Sequence, residues 1–200
     1  MARAAVVDAA RSQFLERGYG ATTIESISEL ADVPLATVYR LFSSKHGILK
    51  ALLDVAIAGD DEDVQMADRP QIRALLAEPD PQRKLAGLVA IIVQVNVQTA
   101  PLYRILLGAA DIDAGAAALL DAVTTQRQAG QRLIAQSLAS AGALRPGIRE
   151  RQAADIIHAL LSPELYRLLV VDRGWKTQRY QPWLTKILID QLLESSSATS

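Results

Sequence analysis

Apolar residues recur at three- and four-residue spacing along most of this chain, and the period-two alternation that builds strands is nearly missing. Gly and Pro fall mainly where helices would break. The pattern predicts an all-α fold of about nine helices. The first runs from about Ala2 to Arg17, with Val7, Ala10 and Phe14 on one face and Gly18 as its stop. The second starts after Thr22, whose hydroxyl can cap while Glu25 completes a capping box, and ends near Ala31. Pro34 opens a short third helix to about Leu41, and Ser43 or Ser44 caps a fourth from Lys45 to about Ala58. Later helices are expected at about 82–98, 101–110, 114–141, 149–161, 164–172 and 180–194.

Between the two groups lies the clearest boundary. Gly59-Asp60-Asp61-Glu62-Asp63 is an acidic run, with Pro70, Pro79 and Pro81 soon after it. In mid-chain such a run reads as a solvated helix end and loop. It divides the chain into residues 1–58 and 59–200. Half the residues are apolar, enough for a core in each part. The most apolar stretch, Leu85 to Val97, is expected to be buried on every side and is too short to span a bilayer. The N-terminus lacks the pattern of a signal peptide, which leads to the expectation of a soluble cytoplasmic protein without membrane contact.

Chemistry is sparse. With no Cys there is no disulfide, thiolate metal site or cysteine nucleophile. The two histidines, His46 and His158, lack the spacing of metal ligands. No phosphate loop, Ser-His-Asp order or nucleophile elbow occurs, and Asp111 and Asp113 read as a wet loop. Neither a catalytic residue, a metal nor a cofactor is expected. A formal net charge of −1 means that any nucleic-acid function must rest on a local patch.

The informative segment runs from Thr22 to Phe42. Two short helices meet at a tight turn, with Ile27, Ala31, Val33, Val38 and Leu41 placed for internal contacts. Ser28 is small where the helices approach. Asp32 stands at the turn, where it tolerates a left-handed conformation better than most residues. A second helix held this way can lie in a major groove.

These residues resemble the TetR family of repressors. The resemblance rests on Phe14-Leu15-Glu16-Arg17-Gly18-Tyr19, then Thr22-Thr23-Ile24, then Thr37-Val38-Tyr39-Arg40-Leu41-Phe42-Ser43-Ser44-Lys45, and covers about residues 5–50. It implies a three-helix DNA-binding domain over 1–58, with its recognition helix at about 34–41. A larger helical domain over 59–200 would bind an effector and form the dimer. It implies that Thr22, Thr23, Thr37, Tyr39 and Lys45 meet phosphates, that Arg40 reads a base edge, and that Leu35 and Ala36 touch thymine methyls. The partners implied are palindromic double-stranded DNA, a second copy of the chain and a largely apolar small molecule that releases the repressor. Departures from the family pattern are Asp32 and Ala36 for Gly, Pro34 for Ser, and His46 for Glu. Pro34 offers no N–H to a phosphate, Ala36 and the apolar Leu35 leave fewer hydrogen bonds for reading bases, and His46 with Gly47 weakens the start of the fourth helix. Together with the modest charge they motivate a second reading, a helical ligand-binding or protein-interaction module whose DNA-reading head is vestigial.

In the second half, Ile92, Asn96, Tyr103, Tyr166 and Trp175 could line an apolar pocket with a few fixed polar groups. The helices near 149–161 and 180–194 carry more apolar residues than one buried stripe needs. Ala154, His158, Leu184, Ile187 and Leu188 are therefore expected at a two-fold interface built as a four-helix bundle.

Overall fold

The computed structural model describes residues 1–58 and 70–194. The acidic run and the polar tail from Ser195 lie outside the described residues. Those described are helical nearly throughout, with no strand and one isolated bridge between Leu144 and Leu193.

Helix α1 spans Ala2–Ala21, longer than expected, because the chain kinks at Gly18 (φ 78°, ψ 169°) and then completes another turn. The kink brings Tyr19 inward to stack on Phe14, their ring centroids 5.5 Å apart. Helices α2 (Ile24–Ala31), α3 (Leu35–Phe42) and α4 (Lys45–Ala58) follow. Pro34 is the residue before α3 rather than its first turn, with ψ 136° holding it outside the helix. Phe14, Ile27, Val38, Ile48 and Leu49 are fully buried beneath these four helices.

Helix α5 (Pro70–Ala77) was not evident in the sequence, where three prolines suggested only a loop. Pro70 stands at its first position, where the missing N–H costs nothing. Helix α6 (Pro81–Ala110) starts at Asp80, whose carboxylate accepts from the backbone N–H groups of Gln82 and Arg83. It then runs unbroken through Pro101, where a break was expected. Both Pro101 and Val97 are exposed, so the carbonyl that loses its partner can face water, while buried Leu102 and Leu106 hold the later turns. A helix of 30 residues is long and apolar enough to cross a membrane, contrary to the expectation from the shorter stretch. Its buried Lys84 and Asn96 instead mark it as a core helix.

Helices α7 (Ala114–Ser140), α8 (Glu150–Leu160), α9 (Pro163–Tyr166, continued by a π-helical segment Arg167–Asp172) and α10 (Thr177–Leu192) complete the chain. Contacts sort the described residues into two compact units. The first takes α1 to α4 with Gln98–Thr124. The second takes α5, α6 up to Val97, and everything from Thr125.

Candidate nucleic-acid interface

The first unit holds α2 and α3 by a dense set of short-range bonds. Thr23 is the residue that caps α2. Its hydroxyl accepts from the Ser26 N–H, and the Ser26 hydroxyl accepts from the Thr23 N–H, so the capping box lies one residue later than expected and uses Ser26 instead of Glu25. Buried Gln13 ties this box to α1: its amide donates to the Ser26 carbonyl at 2.8 Å and accepts from the Ser26 hydroxyl at 2.7 Å. At the turn, Asp32 takes the left-handed conformation (φ 51°, ψ 44°). The Ser28 hydroxyl donates to the Val33 carbonyl at 2.6 Å, and the Val33 N–H returns to the Ser28 carbonyl. Two helices of eight residues thus meet at a fixed angle without a long connection.

Helix α3 turns Val38 and Phe42 inward. Its outer face carries Ala36, Tyr39 and Arg40, at helical spacing three and four apart and all exposed. Leu35 and Thr37 flank that face half-buried. Arg40 makes no ion pair among the described residues. An exposed aromatic hydroxyl beside a guanidinium suits a phosphate and a base edge respectively.

Two expected phosphate contacts are engaged elsewhere. Thr22 is fully buried, and its hydroxyl donates to the Gly18 carbonyl at 2.8 Å, closing the turn after the kink. Only exposed Thr23 can meet a phosphate from the start of α2. The Lys45 ammonium donates to the carbonyls of Tyr19 and Thr22 at 2.8 and 2.9 Å and lies 4.2 Å from the Tyr19 ring centroid. It adds a second bond to the Tyr19 carbonyl, which also accepts the Thr22 N–H, and so ties down the end of α1. Burial lowers its pKa, while the charge of Asp113 acts the other way. One of its three N–H donors remains for a phosphate. Arg3, in the first turn of α1, holds its guanidinium 5.2 Å from the Phe42 ring centroid.

The same unit contains a junction that the sequence did not reveal. Asp113, read as a wet loop carboxylate, accepts from the Tyr19 hydroxyl at 2.6 Å and lies 3.5 Å from His46 Nδ1. It also accepts the N–H groups of Gly115 and Ala116, capping α7. The Tyr19 bond holds the Asp113 carboxyl below its ordinary range, and burial drives the Tyr19 phenol up. An Asp two residues before the Gly of a predicted helix start is a cap signal, and it could have located this residue.

The candidate effector residues divide between the two units. Asn96 and Tyr166 are buried and Ile92 and Trp175 half-buried in the second unit, whereas Tyr103 belongs to the first. Trp175 stacks under Arg179 (3.8 Å) and meets Trp183 edge-on, forming an aromatic cluster. Tyr166 meets Tyr180 edge-on, and Tyr180 is fully buried, its hydroxyl unpaired and its pKa pushed up to about 12 by burial. Leu184 and Leu188 are fully buried within a single copy of the chain, which removes both from any interface; they belong to the stripe Tyr180-Leu184-Leu188-Leu192. Ala154 is buried as well. Ile187 and His158 retain partial exposure, His158 with its Nδ1 2.7 Å from Gln131 Oε1.

Residues 6–52 match the family described as bacterial regulatory proteins, tetR family. Over 48 residues the chain is 44% identical to YvkB, an uncharacterized HTH-type transcriptional regulator of Bacillus subtilis; the match covers 24% of this chain and a quarter of that relative's length. Solved structures resemble the whole fold. NalD, the secondary repressor of the MexAB-OprM multidrug efflux pump in Pseudomonas aeruginosa, superposes with a TM-score of 0.73 at 23% identity, covering 97% of each chain. SmeT, in its complex with triclosan, gives 0.74 at 19% identity, covering 98% of this chain and 93% of that one; SmeT is the repressor of the Stenotrophomonas maltophilia efflux pump SmeDEF. At these identities the likeness establishes the fold.

Proposed function

We propose, from a head that belongs to the tetR family of bacterial regulatory proteins, that the chain is a sequence-specific transcriptional repressor of the bacterial cytoplasm. Residues 1–58 read DNA, and residues 59–200 bind a small molecule and pair two copies. No catalytic step is part of this reading. The observation that carries it is the exposed stripe Ala36-Tyr39-Arg40 on a helix whose other face is locked into the core by Val38 and Phe42. Such a helix can enter a major groove without rearranging. The modest local charge favours a dimer, since two heads double the phosphate contacts. Two-fold pairing sets the recognition helices about 34–36 Å apart, one turn of DNA, or a small multiple. An effector releases DNA to the extent that it prefers a different spacing.

A second reading, a ligand-binding module with a vestigial head, is favoured by the internal engagement of Thr22 and Lys45. A gel shift against DNA immediately upstream of the chain's own coding sequence separates the two. The repressor reading expects a salt-sensitive complex with two copies per duplex. A folded protein that leaves every upstream fragment unshifted would establish the second reading instead.

A further inference from the structure

Besides the Tyr180 hydroxyl, two buried donors of the second unit have no partner among the described residues: Nδ2 of Asn96 on α6 and Nη2 of Arg127 on α7. Interiors rarely leave such groups unpaired, because each costs free energy unless something else uses it. The guanidinium is the costlier of the two, since it is a cation that no carboxylate pairs with among the described residues.

Both side chains point into their unit. Asn96 continues the buried stripe Leu85-Val89-Val93, and Arg127 continues Gln131-Ile134-Leu138 at the same helical spacing. Chain arithmetic puts them at a comparable distance from one shared contact: three residues join α6 to α7, a link short enough to turn the chain back, and Lys84 on α6 donates to Ser137 on α7. Asn96 lies 12 residues beyond Lys84 (96 − 84) and Arg127 lies 10 before Ser137 (137 − 127). At about 1.5 Å per residue they advance about 18 and 15 Å from the shared contact, a mismatch smaller than one turn. Apolar side chains flank them along both stripes.

We propose that Asn96 and Arg127 form the polar end of the effector site, and that the effector is an amphipathic carboxylate. Its single negative charge neutralises the guanidinium, its oxygens accept from Nδ2 and Nη2, and its apolar body lies along the Val and Leu side chains. This rests on the reading of the second part of the chain as an effector domain. Asn96 is only 3% exposed, so the ligand reaches it by displacing the side chains that cover it. Binding is thereby coupled to a rearrangement within this unit.

Two matched pairs of probes test this on the full chain by calorimetry and thermal shift: decanoate with methyl decanoate, and 1-naphthoate with its methyl ester. Each acid should bind at least about tenfold more tightly than its ester. Arg127→Met should erase that preference while retaining helical circular dichroism, and Asn96→Leu should reduce it. Because the donors are unpaired, ligand-free Arg127→Met should melt no lower than wild type. Esters that bind as well as acids, four probes that fail to bind, or a preference that survives in Arg127→Met overturns the proposal. A gel shift on the same preparations keeps the two readings apart. Protein that shifts its upstream DNA but ignores the carboxylates loses only this inference, whereas protein that prefers acids without shifting DNA loses only the repressor reading.

Discussion

The hydroxyl of Tyr19 donates to the carboxylate of Asp113 at 2.6 Å across 94 positions of sequence. Asp113 caps α7 through two backbone N–H groups and lies beside His46 at the start of α4, so one carboxylate joins the ends of α1 and α4 to the start of α7. Gly115 makes the junction possible: a Cβ there would lie 2.2 Å from the His46 ring. Helix α3 is held between α1 and α4, and the junction therefore fixes the frame on which the DNA-reading face stands.

Replacing Asp113 with Asn should destabilise the protein by about 1–3 kcal/mol at pH 7. The amide has one acceptor atom where the carboxylate has two, so either the Tyr19 O–H or the α7 cap loses its acceptor. A carboxyl whose folded pKa is lowered contributes stability above its unfolded value, about pH 4, and loses it as pH falls through the lowered value. Wild type should therefore lose more stability than Asp113→Asn as pH falls from about 5 to 2. Chemical denaturation across that range measures both curves, and parallel curves would refute the role of the charge.

Lys45 has a task without DNA. Its ammonium caps two carbonyls at the end of α1, so Lys45→Met should lower the stability of the DNA-free protein by about 1–3 kcal/mol. A lysine that only met phosphates would leave the melt unchanged. On DNA, the one remaining donor limits the loss in salt slope to about one. Melting curves and a salt titration of the same variant distinguish the two contributions; an unaltered melt counts against the capping role.

The head was legible because its signals are local. Asp32 in the left-handed region, Ser28 between close helices and the apolar set around Val38 all follow from spacing and turn chemistry within twenty residues. Misses arose where tertiary contacts decided. Pro101 looked like the start of a new helix after a break, yet burial of Leu102 and Leu106 outweighs one missing bond. Thr22 was taken for a DNA contact, and the bonds of Lys45 to the end of α1 went unseen, because sequence shows residue types and not which way they point. The broad apolar arc of α10 could not reveal that Leu184 and Leu188 face inward. Asp113 pairs with a residue in α1, a distance no window of sequence reading spans.

Arg40→Ala and Tyr39→Phe should affect DNA binding differently. The guanidinium is exposed and can bind a guanine through two bonds, so its loss should cost about 1–3 kcal/mol of discrimination at one base pair per half-site. The Tyr39 hydroxyl suits a phosphate, and its loss should weaken matched and mismatched duplexes alike. Affinities on single-substitution duplexes read both effects. A uniform loss across sequences in Arg40→Ala would move that residue to the backbone-contact class.

The outward and inward faces of α10 give the sharpest test of assembly. Leu188 is fully buried within one copy of the chain, whereas Ile187, one position earlier, retains exposed surface beside Trp183. A glutamate at 188 would place an unpaired charge in the core and should cost more than about 3 kcal/mol, enough to unfold a marginal domain. A glutamate at 187 should leave the fold intact and act only where two copies meet, by placing like charges across a two-fold axis. Ile187→Glu should therefore sediment as a folded monomer with weakened operator binding, while Leu188→Glu should lose cooperative melting. If Ile187→Glu remains dimeric at micromolar concentration, the pairing of α8 and α10 across the axis is wrong and the partner surface lies on other helices.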